Sequence, residues 1–397
     1  MVKFKNIHLV CCTIAHPKTG IFSRMESVLQ KEVIENVVEA ALQIDPTQSA
    51  KIVGLRYVSD DVPGIQRQRV GDEFCYMDTN GNEICDKQEL SRFKSLVIPP
   101  AWSEVWICPL SNGHLQATGR DAKGRKQYRY HKNWRQTRSQ TKFNRTIVFG
   151  ESLPKIRKRV DEDMRLKGIP RQKVLATVVK LLEVTRIRVG NEEYAQTNKS
   201  FGLTTMRDRH VDISGSTIRF KFRGKSGVEH DIELSDRRLA KIVKSCQDIP
   251  GQELFQYLDE EGHRQPIDSS DINDYLREVT GLEFTAKDFR TWAGTVLAAQ
   301  EFYNMGQVTS QTQAKKNVTQ GIKNVAEHLG NRPATCRKYY VHPVVIDAYM
   351  DNSLFPFLEN ASTEYNSDSP HSLRPEEVGV LKLLEHNLLQ ENQEESE

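Results

Sequence analysis

With 397 residues, 38% of them hydrophobic and 27% charged, the chain is long enough for two domains of a globular protein with a strongly ionic surface. No apolar run approaches the roughly 18–20 residues that a membrane span needs, which argues against a transmembrane helix. The seven cysteines are odd in number and include no C-x-x-C pair, which argues against a disulfide framework or a zinc site and for free thiols in a reducing cytoplasm. The net charge of +3 is unevenly placed: residues 361–397 carry nine acids against Arg374 and Lys382, a net of −7, leaving +10 on the 360 residues before them. A basic body of this kind suits a polyanion-binding protein, because phosphate neutralisation dominates such affinities.

In chain order, the apolar stretch from Ile7 to Ala15 follows Lys3 and Lys5 but lacks a small-x-small cleavage site, so it reads as a first strand or helix rather than a signal peptide. Residues 1–50 form an N-terminal extension that ends in a helical pattern of Val28, Leu29, Val33, Ile34, Val37, Val38, Ala41 and Leu42. From Val53 to about Ile107, short apolar runs broken by Gly, Pro and Asn-Gly turns predict a small antiparallel sheet, and residues 51–135 are read as a β-rich domain. Asp78, Asn80, Asn82 and Glu89 match positions 1, 3, 5 and 12 of a calcium loop, but Glu83 stands where that loop needs glycine. The flanks read as strands, and Asn80-Gly81 predicts a hairpin instead.

A basic run follows. Arg120–Lys142 holds nine Lys or Arg and one acid, interleaved with Tyr128, Tyr130 and Trp134. A solvated charge run is a poor account of it, because so much repulsion goes uncompensated. Residues 136–358 read as a mostly helical domain, with Val174, Val178, Leu181 and Leu182 on one helical face. Ile218, Phe220 and Phe222 then alternate with Arg219, Lys221 and Arg223 as a strand does, and Val318, Ile322, Val325 and Leu329 form a later helical stripe that ends at Gly330. Residues 359–397 are an acidic tail: Asn360–Pro375 reads as irregular and mobile, and Val378, Leu381, Leu384 and Leu388 predict a short amphipathic helix that docks on the body or a partner.

Four constellations carry chemistry. Arg186 and Arg188 close the helix that begins near Arg171, where guanidiniums near a core need anionic partners; an ordinary Arg188–Glu192 pair at i, i+4 would also satisfy one of them. Phe222–Gly227 reads as a hairpin tip carrying Lys225, either solvated or reaching a phosphate. Thr285 and Asp288 predict a capped helix start, which puts Lys287 and Arg290 where cations oppose the helix dipole unless an anion sits close by. Arg332 to Pro343 sets Tyr339 and Tyr340 beside Arg337 and Lys338, as packing residues or as a phenol nucleophile with cationic neighbours.

Taken together, in the order Arg, Lys, Arg, Asn, Tyr, these strings resemble the type IB DNA topoisomerases over about residues 50–355, most closely their bacterial, poxvirus-like branch. Arg186–Tyr194, Lys287–Thr295, Cys336–Pro343 and Gln116–Tyr128 carry the resemblance. It implies an α+β fold, in which a small β-rich domain and a mostly helical catalytic domain form a clamp around duplex DNA. It also implies a catalytic set of Tyr340, Arg188, Lys225, Arg290 and Asn331. A phenol has a reference pKa of about 10 and is a poor nucleophile at neutral pH, so the site must ease loss of its proton. The permanently charged guanidiniums then hold the charge developing on phosphate, and Lys225 protonates the leaving 5′ oxygen. The product is a 3′-phosphotyrosine link that keeps the phosphodiester energy, so relaxation needs neither ATP nor a divalent metal.

By the same resemblance, the DNA contacts fall to Arg125, Lys126, Gln127, Tyr128, Arg129, Lys132, Arg186, Tyr194 and Lys287, with the basic run as an inter-domain strap. Contacts of this kind imply weak sequence preference and steep salt dependence. Viral and eukaryotic members place histidine where this chain has Asn331, and an amide donates the same hydrogen bond without titrating. His328 is not its substitute, since the turn at Gly330 intervenes, and Tyr339 is expected to be packed. The protein is expected to be a monomer that binds double-stranded DNA and no membrane, in a bacterial cytoplasm on the nucleoid. The acidic tail is expected to compete with DNA. A tyrosine recombinase is the alternative, but such enzymes carry His-x-x-Arg where Lys287-Asp288-Phe289-Arg290 stands, and Leu-Gly-His at Leu329-Gly330-Asn331. A non-catalytic DNA-binding protein would need no particular tyrosine.

Overall fold

The computed structural model describes residues 46–364 and 369–394; the apolar stretch of residues 7–15 and the helical pattern of residues 28–42 lie outside the described residues. Helix α1 (Pro46–Ile52) leads into strands β1 (Ile65–Val70), β2 (Glu73–Met77), β3 (Ser103–Ile107), β4 (Leu115–Arg120) and β5 (Lys126–Tyr130), with α2 (Lys87–Ser95) between β2 and β3. The strands form one antiparallel sheet in the order β2-β1-β3-β4-β5. The sheet was legible, but α2 was not. Asp86 caps it by accepting the Glu89 N–H at 2.8 Å, and its Phe93 packs on Ile65, Val105, Ile107 and Ala117. Asp86 followed three residues later by Glu89 is a helix-start signature that the turn-rich surroundings obscured. At the calcium-loop look-alike, Asp78 Oδ1 accepts from the N–H groups of Asn80 and Asn82 at 2.8 Å each, and Ile84 N–H returns to Tyr76. That segment is a hairpin turn whose own amides occupy the carboxylate.

Strand β5 runs almost directly into α3 (Lys132–Asp163), a helix of 32 residues. The basic run is therefore the end of β4, β5 and the first turns of α3, and the expected domain boundary at 135/136 falls inside that helix. Trp134 packs there against Ala50 and Leu55, tying α1 to α3. The chain continues through α4 (Arg171–Thr185) and α5 (Glu192–Asn198) to the antiparallel sheet β6 (Val211–Ser214), β7 (Thr217–Arg223) and β8 (Glu229–Ser235). Helix α6 (Arg237–Gln247) and short strands β9 (Gln256–Leu258) and β10 (Arg264–Pro266) follow. The remainder is helical: α7 (Ser269–Thr280), α8 (Ala286–Met305), α9 (Gln311–His328), α10 (Pro333–Tyr339), α11 (Pro343–Met350), α12 (Leu354–Glu364) and α13 (Pro375–Glu394).

The periodicities become buried faces. Strand β7 buries Ile218, Phe220 and Phe222 and exposes Arg219, Lys221 and Arg223, α4 buries Val174, Val178, Leu181 and Leu182, and α9 buries Val318, Ile322 and Val325. None of the described helices is long and apolar enough to cross a membrane.

The C-terminal helix docks on the body, as its apolar stripe predicted, but is longer than the short helix expected. Of the Asn360–Pro375 stretch read as irregular and mobile, residues 365–368 lie outside the described residues. Residues up to Glu364 still belong to α12, and α13 is a 20-residue core element. It buries Val380, Leu383, Leu384 and Leu388 in contact with α3, α8, α11 and α12. Its Glu377 is 4% exposed and accepts from Arg157 of α3 at 2.7 and 2.9 Å, while Arg157 also donates to Glu183 of α4 at 2.7 Å. This explains why the tail's charge is a poor guide to its role. A chain ending at residue 374 loses about 1.5–3 kcal/mol per buried leucine and half of a buried ion pair, itself about 3–5 kcal/mol. Against a total stability of about 5–15 kcal/mol, that truncation is expected to prevent folding. A thermal melt coincident with that of the full chain would refute this.

Candidate active site

Helix α4 stops at Thr185 because Arg186 adopts φ +59°, a left-handed conformation that a non-glycine residue holds only where its surroundings enforce it. Ile187 then turns into the core at 3% exposure, which carries Arg188 the other way. Arg188 Nη2 donates to Asn331 Oδ1 and, at 3.3 Å, to the Gly330 carbonyl. The Arg188–Glu192 helical pair does not form: the helix has already ended, and Glu192 opens α5, where it accepts from Gln196 at 3.0 Å.

Arg290 enters from the first turns of α8, whose start is fixed as predicted: Asp288 accepts from the Thr285 N–H at 2.7 Å. The guanidinium is 4% exposed. Its Nη1 donates to the Arg186 carbonyl, and its Nη2 to the Leu329 carbonyl at 2.7 Å. These oxygens cap α4 and α9, so the negative ends of two helix dipoles compensate the cation. These carbonyls, rather than an anionic side chain, offset part of the charge that the sequence places at the helix start. Among the described residues no carboxylate lies within ion-pair distance of Arg188 or Arg290; the partners found are neutral oxygens. Burial pulls both guanidiniums below their ordinary range, and Arg188 lowers Arg290 further. A buried and a half-buried cation side by side, with only neutral partners, leave a local field that an anion would satisfy. Buried Arg290 Nε and Asn331 Nδ2 also find no acceptor among the described residues.

Tyr340 sits at the end of α10, its N–H on the Cys336 carbonyl at 2.9 Å and its own carbonyl accepting from Thr295 Oγ1 at 3.4 Å. Its ring centroid lies 5.1 Å from the Arg290 guanidinium. The phenol is close enough to both guanidiniums to favour their charged forms. Tyr339 was expected to be packed and is instead 49% exposed, with Lys338 over its ring at 5.1 Å; of the two tyrosines, Tyr340 packs against the core. Lys142, which the sequence reading passed over as the end of the basic run, reaches in from α3. It donates to the Tyr339 carbonyl and lies 5.8 Å from the Tyr340 ring centroid, and burial lowers its ammonium to about 8. Its spacing eight residues after Trp134, close to two helical turns, was the available signal that it faces inward.

Comparison with known proteins accords with this arrangement. A family profile described as eukaryotic DNA topoisomerase I, catalytic core, matches residues 131–354, and one described as bacterial DNA topoisomerase IB, N-terminal domain, matches residues 73–121. DNA topoisomerase 1B of Acanthamoeba polyphaga mimivirus is 33% identical over 308 residues, covering 76% of this chain and 91% of that protein. The chain belongs to the type IB DNA topoisomerase family. DNA topoisomerase I of Monkeypox virus and DNA topoisomerase 1B of Vaccinia virus strain Copenhagen are each 25% identical over 256 residues, covering 64% of this chain and 77% of theirs. The core is thus of the eukaryotic and viral type with a bacterial N-terminal domain, and a recombinase assignment is not favoured.

Of the topoisomerase residues expected from sequence, the structure gathers Arg188, Arg290, Asn331 and Tyr340. Lys225 is exposed on the β7–β8 tip. The expected DNA contacts lie elsewhere. On β5 and the turn before it, Arg125 pairs with Asp121 at 2.6 Å and Lys126 with Asp60 at 2.7 Å, and Gln127 donates to Asp121 at 3.1 Å. Tyr128 stacks on Tyr130 with centroids 5.9 Å apart, and Arg129 donates to the Val97 carbonyl at 2.7 Å. Acids from outside and within the run therefore offset more of its charge than the sequence count implied. Lys132, Tyr194 and Lys287 are exposed at the starts of α3, α5 and α8. The Arg186 side chain instead lines a small cavity with Glu183, Arg374 and Glu377.

One glycine fixes how near the tyrosine comes to α8. A Cβ on Gly294 would lie 2.4 Å from the Tyr340 carbonyl oxygen. Gly294→Ala is expected to displace Tyr340 and slow single-turnover DNA cleavage by roughly 100-fold, the usual penalty for about 1 Å of misplacement, with a modest fall in Tm. An unchanged cleavage rate would show that this approach does not set the tyrosine's position.

Proposed function

We propose that the protein relaxes supercoiled DNA by cutting one strand and resealing it. Tyr340 Oη gives up its proton to solvent water and attacks the scissile phosphorus, forming the O–P bond of a 3′-phosphotyrosine as the bond to the 5′ oxygen breaks. Lys225 gives that oxygen its proton. Arg188 and Arg290 hold the charge on the non-bridging oxygens, and Asn331, its Oδ1 engaged by Arg188, offers Nδ2 to the same phosphate. The 5′ hydroxyl then attacks the phosphotyrosine to restore the strand. No ATP enters, because the covalent link conserves the bond energy. No divalent metal is needed, because two guanidiniums and a lysine supply the positive charge. The sheet of β1–β5 and the helical part close as a clamp on duplex DNA, with the β5 residues Lys126, Gln127, Tyr128 and Arg129 together with Arg125 and Lys132 along the backbone, and Tyr194 and Lys287 on the helical side. The enzyme acts as a monomer on the bacterial nucleoid in the cytoplasm.

The observation that carries this reading is the buried Arg290 guanidinium and the half-buried Arg188 guanidinium beside Tyr340, with only neutral partners. The test is relaxation of positively and negatively supercoiled plasmid in EDTA without ATP. Relaxation of both is expected. DNA binding without relaxation would overturn the proposal, and recombination between paired sites would replace it with a recombinase.

A further inference from the structure

His230 on β8 belongs to none of the motifs that marked the site, yet it touches two of the segments that build it. Its ring stacks on its cross-strand partner Phe222 with centroids 4.9 Å apart and planes 13° from parallel. Two glycines lie against the remaining ring edge. A Cβ on Gly224 would stand 2.7 Å from His230 Cδ2 and Nε2, and one on Gly330 would stand 2.4 Å from Cε1. Neither backbone could come so near the imidazole if it carried a side chain. Gly224 immediately precedes Lys225 and starts the hairpin tip, where its N–H donates to the Val228 carbonyl at 2.7 Å. Gly330 immediately precedes Asn331, has φ +58°, and offers its carbonyl to Arg188 at 3.3 Å.

We propose that His230 is a positioning residue, a flat spacer that sets the Lys225 hairpin and the Gly330–Asn331 turn at a fixed separation across the scissile phosphate. The inference rests on the reading of Lys225 as the proton donor and Tyr340 as the nucleophile. A neutral ring is what this place requires, since a charged imidazole would add a third cation beside Arg188 and Arg290. Burial, and then those two charges, hold the imidazole below its ordinary range. An exposed lysine at a hairpin tip has many rotamers, so its proton reaches the leaving oxygen only if the backbone beneath it is fixed. His230 supplies that constraint through packing and touches no reacting atom.

The experiment compares single-turnover cleavage of two DNA substrates that differ only at the bridging 5′ atom of the scissile phosphate. With oxygen there, the P–O bond breaks and the alkoxide needs a proton from Lys225. With sulfur, the P–S bond breaks and the thiolate leaves without one. His230→Ala is expected to cut the oxygen substrate about 10- to 100-fold more slowly than wild type, the range of a misplaced general acid, and the sulfur substrate at close to the wild-type rate, with DNA affinity unchanged. His230→Gln, which fills more of the space, serves if the alanine variant does not fold, and the same oxygen-selective loss is expected of it. Equal slowing on both substrates would reduce His230 to a structural residue and overturn the proposal, as would a wild-type rate on oxygen. Lys225→Ala is the control: loss on both substrates with no relief by sulfur would overturn the underlying assignment of the proton donor, and the His230 proposal with it.

Discussion

Tyr340→Phe is expected to bind DNA as the wild type does, to form no covalent adduct with it and to relax no plasmid. The substitution removes one oxygen and leaves the ring that packs beside the Arg290 guanidinium, 5.1 Å from its centroid. The backbone anchors are untouched: the N–H stays on Cys336, and the carbonyl stays on Thr295 and against Gly294. Fold and binding therefore survive while the attacking atom is gone, and an interaction of that kind appears wholly in the cleavage rate. The measurement is trapping of labelled DNA on the protein under denaturing conditions. Tyr339 provides the internal check, because it is the more exposed neighbour at 49% and its carbonyl is held by Lys142. Tyr339→Phe is expected to retain adduct formation. Adducts formed by Tyr340→Phe but not by Tyr339→Phe would move the nucleophile by one residue and discard the assignment.

What the sequence disclosed is what short-range periodicity and chemical strings can encode. The alternation of Ile218, Phe220 and Phe222 against three cations specified a half-buried strand. The stripe of Val318, Ile322 and Val325 specified the helix that delivers Asn331, and Thr285 with Asp288 specified where α8 begins. The family strings named residues but carried no geometry. Lys142 meets Tyr339 across 197 positions of sequence, and no local pattern marks such a pair. Nor could the sequence say that Arg290 would be held by the carbonyl ends of two other helices. A cation near a helix start is unfavourable only until the packing of α4 and α9 is known. The C-terminal helix was legible from its apolar stripe, but counting the acids around it gave a tail, whereas burial of Glu377 on Arg157 makes it a wall of the core. Charge composition reports on the surface only where the charges are on the surface.

The buried arginine also separates the cost of the site from its use. Arg290→Ala is expected to slow cleavage by about 100- to 1,000-fold, as loss of one preorganised donor to a developing negative charge does. Its effect on stability is expected to be small, because two contributions oppose one another. The Arg186 and Leu329 carbonyls each lose a donor, at about 1–3 kcal/mol for a buried group left unpaired. Against this, the folded state sheds a cation that burial and Arg188 hold below its ordinary range. A base whose folded pKa is depressed destabilises the fold at every pH below that lowered value, so its removal is stabilising throughout the physiological range. Arg290→Lys keeps a charge but not the fork that spans two carbonyls, and it is expected to recover little of the rate. Single-turnover cleavage and thermal melts on the same preparations separate the two effects. If Arg290→Ala cleaved within about tenfold of wild type, well short of the usual loss for such a donor, the guanidinium would be a structural clasp between α4, α8 and α9 rather than part of the phosphate pocket. Slow cleavage with the melt preserved identifies a group that the fold tolerates for the sake of the reaction, as stability–activity trade-offs at active sites lead one to expect.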